Sequence, residues 1–446
     1  MVSYYLYNLR FRSTFISAVM WLIFAWLFLF IAQATEIYPL YFIVLISATW
    51  GTIRDVCYEG YFHPIIICFL FSLSTTLMGM SWMLPLNKEI PFFSAPIYVT
   101  DIDIFLLVKE QLILINSLYI GYLLIKGISK HKVKKNFIVI QKKSLIWLIL
   151  YIIGLLSLFA IIQLSGGLGA VISDLGNRGE RAAGKGFFVI LHYLAYIGAL
   201  VWYKNNIFKP ALVRYSGLIL LLFPLLLYGD RTGLLICLIS GVYMDEKLNR
   251  RPAIIKILLF ISVLIVLLIL YQQFRSNRES IDMLLSLYKD LSMGVGYVAA
   301  TQESIVDNQI RLEVLLLIIG PIIPSIIEKS IPWPISPNII LTQSIFPPNA
   351  GLIVSMGVMG EAGYILSPSL SFIHYILIGV ILTWIGSIIW RRNLLFAAIT
   401  AGGTLRIAKG GITAGGANIL LFVLPLISLF FLSLLLKTKN RGQQNS

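Results

Sequence analysis

The sequence predicts an all-α polytopic membrane protein, and three observations lead to that prediction. Of its 446 residues, 58% are hydrophobic and 12% are charged, whereas a soluble domain carries roughly 25% charged residues. The mean hydropathy is +0.88. Long apolar runs recur along the chain, and a transmembrane helix needs about 20 mostly apolar residues. The composition therefore excludes a globular enzyme with one large core.

We predict twelve transmembrane helices from these apolar runs. Two consecutive runs, 214–229 and 232–245, are short and are separated by a Gly-Asp-Arg turn, which predicts a tight helical hairpin. The run at 394–405 is also short. The predicted helices are 14–34, 37–53, 63–82, 104–125, 144–165, 187–203, 214–229, 232–245, 253–272, 369–390, 394–405 and 416–436.

The charge of the loops predicts the orientation of the chain. With the N-terminus in the cytoplasm, the cytoplasmic loops hold most of the 35 basic residues, and their acids are Asp55, Glu59, Asp245 and Glu246. The net charge of +15 is then a topology signal rather than a nucleic-acid-binding surface. Both termini are expected in the cytoplasm, with 437–446 as a tail. The run 14–31 is too long for the core of a cleaved signal peptide.

Residues 273–368 are predicted to form a large external loop between helices 1–9, within residues 1–272, and the C-terminal helices, within 369–436. This loop contains two apolar runs, 312–327 and 350–366. The first is broken by a glycine and two prolines, so we expect helices that lie on the membrane or dip into it. If both runs cross instead, the count of helices becomes fourteen.

Cations at the external ends of helices are the candidate binding residues. The positive-inside bias should deplete this side of cations, yet the external loop 166–186 and its neighbours keep them. Snorkelling or pairing with nearby acids is the ordinary explanation. Because arginine matches phosphate bidentately, we predict a pocket for a lipid-linked phosphate, a pyrophosphate or an anionic sugar. The candidates are Arg178, Arg181, Lys185, Arg231, Arg275, Arg278, Arg406 and Lys409.

Glycines accompany these cations in two places. The external loop reads SDLGNRGERAAGKG over 173–186 and lacks the spacing of a P-loop. The segment 401–416 holds six glycines, and Arg406 and Lys409 within it would share one face of a helix. Either segment is a flexible connector or a place where backbone approaches a ligand closely.

Glu361 is the best candidate for a general base, which a sugar hydroxyl would need in order to act as a nucleophile. It is a lone carboxylate in an apolar run, where burial would raise its pKa. An interfacial or arginine-paired acid is the alternative. Asp230 and Glu180 come next, although each adjoins an arginine. His192 and His374 lie in apolar helices and are interpreted as structural. No metal-binding spacing and no cofactor motif occur, so neither is predicted.

In the order of these landmarks the chain resembles the oligosaccharide repeat-unit polymerases, the Wzy-type O-antigen polymerase family. The motifs are short, and no glycine follows Arg178 or Arg181 at the ten-residue interval found in some members. The landmarks are the loop 166–186, Gly-Asp-Arg-Thr at 229–232, Arg275 after a long helix, a Pro-Asn…Gly-Glu-x-Gly-Tyr segment at 348–364, and Arg406 before the last helix.

The resemblance implies a metal-independent glycosyltransferase of the bacterial inner membrane with a GT-C-like fold. Such enzymes move a growing chain from its undecaprenyl diphosphate to a new lipid-linked unit, for O-antigen or a similar surface polysaccharide. Carried over by position, Glu361 is the base or a sugar-binding group. Five arginines neutralise the leaving pyrophosphate or hold anionic sugar groups, namely Arg178, Arg181, Arg231, Arg275 and Arg406. The expected partners are the lipid-linked oligosaccharide, membrane lipid, a chain-length regulator and a flippase.

Two other functions stay open. An O-antigen ligase has similar topology, but ligases of the family usually show a histidine in the large external loop. Residues 274–368 contain none, although His374 lies just beyond them. A lipid-linked oligosaccharide flippase or another transporter often shows internal repeats and charges at mid-membrane depth. The chain shows no repeat, and its unexpected charges collect at one face, which favours an enzyme.

Overall fold

The computed structural model describes residues 2–83, 99–129, 145–173, 186–228, 231–248, 293–320, 333–345, 355–391 and 393–443, and every regular element in these ranges is helical. The all-α prediction is confirmed for this part of the chain. The helices are α1 (Val2–Thr35), α2 (Tyr38–Val56), α3 (Pro64–Met83), α4 (Asp101–Ser129), α5 (Ile146–Leu164), α6 (Gly167–Ser173), α7 (Gly186–Asn205), α8 (Ala211–Leu222), α9 (Arg231–Lys247), α10 (Met293–Gln302), α11 (Pro337–Ile345), α12 (Gly357–Leu366), α13 (Ser371–Ser387) and α14 (Leu394–Gln443).

Seven helical stretches in the described residues are long and apolar enough to cross a membrane, so the chain is a multi-pass membrane protein by helix length and hydropathy. The predicted helix 37–53 forms as α2, but it carries Arg54 and Asp55 at its end and is not one of the seven. The predicted helix 253–272 lies outside the described residues. The seven stretches are Thr14–Thr35, Pro64–Ser81, Asp101–Lys126, Ile146–Leu164, Phe187–Asn205, Ser371–Arg391 and Leu394–Pro425.

The predicted pair 214–229 and 232–245 forms as α8 and α9 with an irregular junction. The α-helix ends at Leu222 and continues as a 3-10 helix over Phe223–Tyr228. Pro224 explains the change, because proline has no amide hydrogen for the α-helical bond. The second helix then begins at Arg231.

Glycines bring the long helices into close contact. A Cβ atom on Gly121 of α4 would lie 2.5 Å from the carbonyl oxygen of Ile376, and one on Gly379 of α13 would lie 2.5 Å from that of Leu118. Helices packed at this distance leave no room for a side chain, which is a common arrangement between helices in membranes. These contacts hold α4 and α13 side by side, and the candidate site is built against them.

One end of the helix bundle, called the basic end here, fixes its helices with buried ion pairs. Asp55 is fully buried, accepts hydrogen bonds from Thr14 and Tyr119, and lies 3.7 Å from Lys126 Nζ. At the same end Arg214 pairs directly with Asp245. Removing one partner of such a pair leaves a buried charge, which costs about 3–5 kcal/mol. These pairs therefore anchor α2 to α4 and α8 to α9.

Besides a 3-10 helix over Leu312–Ile318, the described part of the region predicted as a large external loop contains three short α-helices. They are α10, α11 and α12, with 10, 9 and 10 residues. A helix of ten residues is about 15 Å long, half the thickness of the hydrocarbon core, so none of the three can cross it. Gly294 of α10 lies against the backbone of Gly79 in α3, which shows that this region packs into the bundle.

Candidate functional site at the reversal of the last helix

The last helix reverses direction at Gly411, whose backbone is non-helical at φ 81° and ψ −179°. A Cβ atom on Gly403 would lie 2.4 Å from Ile419, and one on Gly415 would lie 2.4 Å from Ile407. Residues 403 and 419 would be about 24 Å apart in a straight helix. The arms 394–410 and 412–443, called α14a and α14b here, therefore fold back on each other.

This reversal corrects the expectation for the glycine-rich segment. The sequence places a loop between predicted helices 394–405 and 416–436, whereas both arms continue as helix up to the single residue Gly411. The candidate cations Arg406 and Lys409 consequently lie in the last turns of α14a. The six glycines favoured a loop in the sequence, but several of them let the two arms pack closely.

The vertex at Gly411 is filled by the side chain of Glu361 from α12. A Cβ atom on residue 411 would lie 2.0 Å from Glu361 Oε2, so the carboxylate occupies the space that any other residue would need. The positive φ of residue 411 is also strained for every residue except glycine. Both the conformation and the neighbour thus require glycine here.

Glu361 caps the start of α14b. The amide of Thr413 donates a hydrogen bond to Glu361 Oε1 at 3.0 Å, and the Thr413 hydroxyl donates to Oε2 at 2.6 Å. The first amides of a helix have no partner within the helix, and the helix dipole favours a negative group there. The side chain is only 1% exposed, and among the described residues it forms no ion pair with an arginine.

Burial raises the pKa of Glu361 to about 7, although hydrogen bonds from Thr413 and Ile412 act in the opposite direction. A carboxyl group with a pKa near the working pH can both take and give a proton, which is the property that a general base needs. Its present contacts are those of a helix cap. The role of Glu361 as a base stays a prediction.

Arg406 and Lys409 lie beside this vertex, three residues apart on α14a, and both are partly buried. That spacing puts them on one face of the helix, and the negative end of the helix dipole favours cations in the last turns. The hydroxyl of Ser355 donates a hydrogen bond of 2.5 Å to the carbonyl oxygen of Lys409. The chain leading into α12 is thereby tied to α14a, which brings Glu361, Arg406 and Lys409 to one region.

The side chains of the remaining candidate residues lie outside the described part of the chain. Arg231 is the first residue of α9, and its side chain is outside the described part. The candidates Arg178, Arg181, Lys185, Arg275 and Arg278 lie outside the described residues, as do the second-choice acids Asp230 and Glu180. Their meeting in one pocket stays a prediction.

Arg311 has a structural role in this region, as the partner of an acid and of an aromatic ring. Its guanidinium donates to both carboxylate oxygens of Asp307, at 2.7 and 2.5 Å, and lies 4.5 Å from the centre of the Tyr364 ring. The same contact lowers the pKa of Asp307. The backbone amide of Arg311 also bonds to the carbonyl of Ile365 at 2.7 Å. This arginine fastens residues 307–311 to the end of α12.

Glu110 is a buried acid that the sequence reading did not single out. It lies in α4, is 6% exposed, and accepts hydrogen bonds from Ser371 at 2.7 Å and from Tyr375 at 2.6 Å. The Tyr375 hydroxyl is also 3.5 Å from the carbonyl of Met359 in α12. Like Glu361 it is an acid in a largely apolar segment, but its sequence neighbours are Lys109 and Gln111.

The structural interpretation of His192 and His374 stays a prediction. His192 and His374 are both buried within helices, and the three cysteines are free thiols. No group of three or more histidine, cysteine or acidic side chains with metal-binding geometry occurs among the described residues.

No protein-family model matches the chain, and no curated protein or solved structure is significantly similar to it. The resemblance to oligosaccharide polymerases therefore rests on the order of short motifs.

Proposed function

We propose that the chain is a metal-independent membrane glycosyltransferase that polymerises undecaprenyl-diphosphate-linked oligosaccharide units. We place it in the bacterial inner membrane, with a GT-C-like arrangement and an external site, making O-antigen or a similar surface polysaccharide. The observation that supports this proposal best is the vertex at Gly411. There, Arg406 and Lys409 lie in the last turns of α14a, and the buried carboxylate of Glu361, whose pKa is about 7, fills the space beside Gly411.

The chemistry of polymerisation needs these two kinds of group. A hydroxyl of the new unit attacks the anomeric carbon of the growing chain, and the bond from that carbon to the pyrophosphate breaks. The pyrophosphate leaves with the electron pair, so cations such as Arg406 and Lys409 stabilise it. The hydroxyl proton passes to the Glu361 carboxylate. Glu361 must exchange its bonds to Thr413 for a bond to substrate, and Gly411 is the residue about which the arms can adjust.

A transporter of lipid-linked oligosaccharides is the second candidate, and one observation favours it. Secondary transporters use helices that are broken within the membrane, with the N-terminus of a half-helix facing an anionic group. The start of α14b facing Glu361 has that form. The lack of an internal repeat in the sequence still favours the enzyme.

Deletion of the gene separates these functions when surface polysaccharide is resolved on a gel. Loss of a polymerase leaves single repeat units on the lipid A-core or another anchor. Loss of a ligase leaves long chains on undecaprenyl diphosphate, and loss of a flippase leaves neither product at the outer face. An unchanged ladder of chain lengths after deletion contradicts the proposal.

A further inference from the structure

The carboxyl group of Glu110 lies well within the span of α4. It is nine residues from Asp101, about 14 Å along the helix, and sixteen residues from Lys126, about 24 Å. An ionised acid at the centre of a membrane helix costs about 2.5–3.5 kcal/mol on insertion scales. Such groups are rare and are usually paired or functional. We therefore expect Glu110 to have a partner that offsets the cost of burying its carboxyl group.

The partners that the described residues supply are hydroxyl groups. Ser371 and Tyr375 of α13 both contact the same carboxyl oxygen, Oε1. Among the described residues no lysine, arginine or histidine nitrogen lies within 4 Å of the carboxylate, in contrast to Asp55 and Lys126 at the basic end. Hydroxyls do not neutralise a charge, but each can either donate or accept a hydrogen bond.

Both hydroxyls have a second acceptor within reach. Ser371 Oγ lies 3.0 Å from the carbonyl oxygen of Pro368, and the Tyr375 hydroxyl lies 3.5 Å from that of Met359. With an ionised Glu110, both hydroxyls point their hydrogens at Oε1. With a protonated Glu110, the carboxyl donates to Ser371 Oγ, and Ser371 turns its own hydrogen to Pro368. Both charge states are satisfied by rotating hydroxyl hydrogens, without moving a heavier atom.

We propose that Glu110 is an intramembrane proton-binding site, with Ser371 and Tyr375 as the groups that adapt to its charge. The ligand is a proton taken from water, which forms the O–H bond of a neutral carboxyl group. The other titratable groups that act on Glu110 are Tyr297 of α10 and Lys109 of α4 itself. From α12 the site meets a backbone carbonyl, that of Met359.

The site also connects with the helix that carries Glu361. When Glu110 is ionised, the hydrogen of Tyr375 is held by Oε1. When Glu110 is protonated, that hydrogen is available to the carbonyl of Met359, two residues before Glu361. The Tyr375 hydroxyl therefore lies between the Glu110 carboxyl group and the backbone of α12.

Infrared spectroscopy of the full-length protein in lipid vesicles tests the proposal directly. A protonated carboxyl group has a C=O stretching band that an ionised one lacks. At neutral pH we expect a component of this band in the wild type that Glu110→Gln removes, beside a separate component from Glu361, which Glu361→Gln removes. The control Glu313→Gln alters an exposed carboxyl and should leave the band unchanged. Tyr375→Phe and Ser371→Ala should shift its frequency, because each removes one hydrogen-bonding partner.

The proposal is overturned if Glu110→Gln removes no protonated-carboxyl band at neutral pH, or if the band disappears near pH 4, where an aqueous glutamate titrates. Should Glu110→Gln fail to insert, unshifted spectra of Tyr375→Phe and Ser371→Ala overturn it in the same way. None of these measurements uses polysaccharide synthesis. A failure here is therefore distinct from a failure of the proposed polymerase function.

Discussion

Buried carboxylates have different partners at the two ends of this bundle. At the basic end Asp55 and Asp245 lie within 4 Å of a cation, Lys126 and Arg214 respectively. Toward the other end Glu110 and Glu361 are equally buried, but hydroxyl groups and backbone amides supply their hydrogen bonds. An ion pair holds an acid in its charged state, whereas a hydroxyl can donate to a charged acid or accept from a neutral one. The basic end thus holds its acids in ion pairs, whereas Glu110 lies beside hydroxyl groups that suit either of its charge states.

The largest expected effect belongs to the basic end. Asp245→Asn leaves the buried guanidinium of Arg214 without its counter-ion, so we expect a loss of about 3–5 kcal/mol in stability. Thermal unfolding of the purified protein in detergent measures it. The control Asp307→Asn removes a partly exposed pair with Arg311, for which about 0–1 kcal/mol is expected. Equal losses of stability from the two variants would contradict the difference between the buried and the partly exposed ion pair.

The next effect concerns the vertex. Gly411→Ala places a methyl group on the Glu361 carboxylate and forces alanine into a positive φ, so we expect a loss of about 3 kcal/mol together with short polysaccharide chains. Gly241→Ala is the matched control, since its added Cβ finds only ordinary contacts, the nearest at 3.4 Å. A stable and active Gly411→Ala protein would show that the arms do not meet as described.

The stability of the folded protein should depend on pH through Glu361. Because the pKa of Glu361 is raised in the folded protein, its stabilising contribution is present at low pH and is lost as the pH rises from the ordinary value of 4.5 through about 7. The wild type should lose on the order of 2 kcal/mol more than Glu361→Gln over this range. Unfolding measured at a series of pH values checks it. Parallel curves for the two proteins would mean that Glu361 does not titrate there.

The sequence predicts the helices well for a physical reason. Long apolar runs have few alternatives to crossing a membrane, so the runs at 63–82 and 104–125 appear as α3 and α4. The position of the turn at Gly411 was not predictable from the sequence in the same way. Six glycines compete for the turn in 401–416, and Gly411 takes it because a carboxylate from a residue fifty positions earlier fills the space beside it.

The contacts of charged residues are also hard to predict where the partners are distant in the sequence. Glu361 and Glu110 both lie in largely apolar segments, and their hydrogen-bonding partners come from α14b and α13, distant in the sequence. Arg311 and Arg406 differ in this respect. Asp307 lies four residues from Arg311 and pairs with it, so that contact is local in the sequence. Arg406 has no acid within four residues of it in the sequence.

The most direct test of the central claim is the effect of the vertex cations on chain length. Arg406→Ala combined with Lys409→Ala, in a protein that inserts at the wild-type level, should collapse the polysaccharide ladder to one or a few repeat units. Lys209→Ala changes an exposed cation near the basic end and should leave the ladder intact. A full-length ladder from the double variant would contradict the assignment of the vertex as the site of polymerisation.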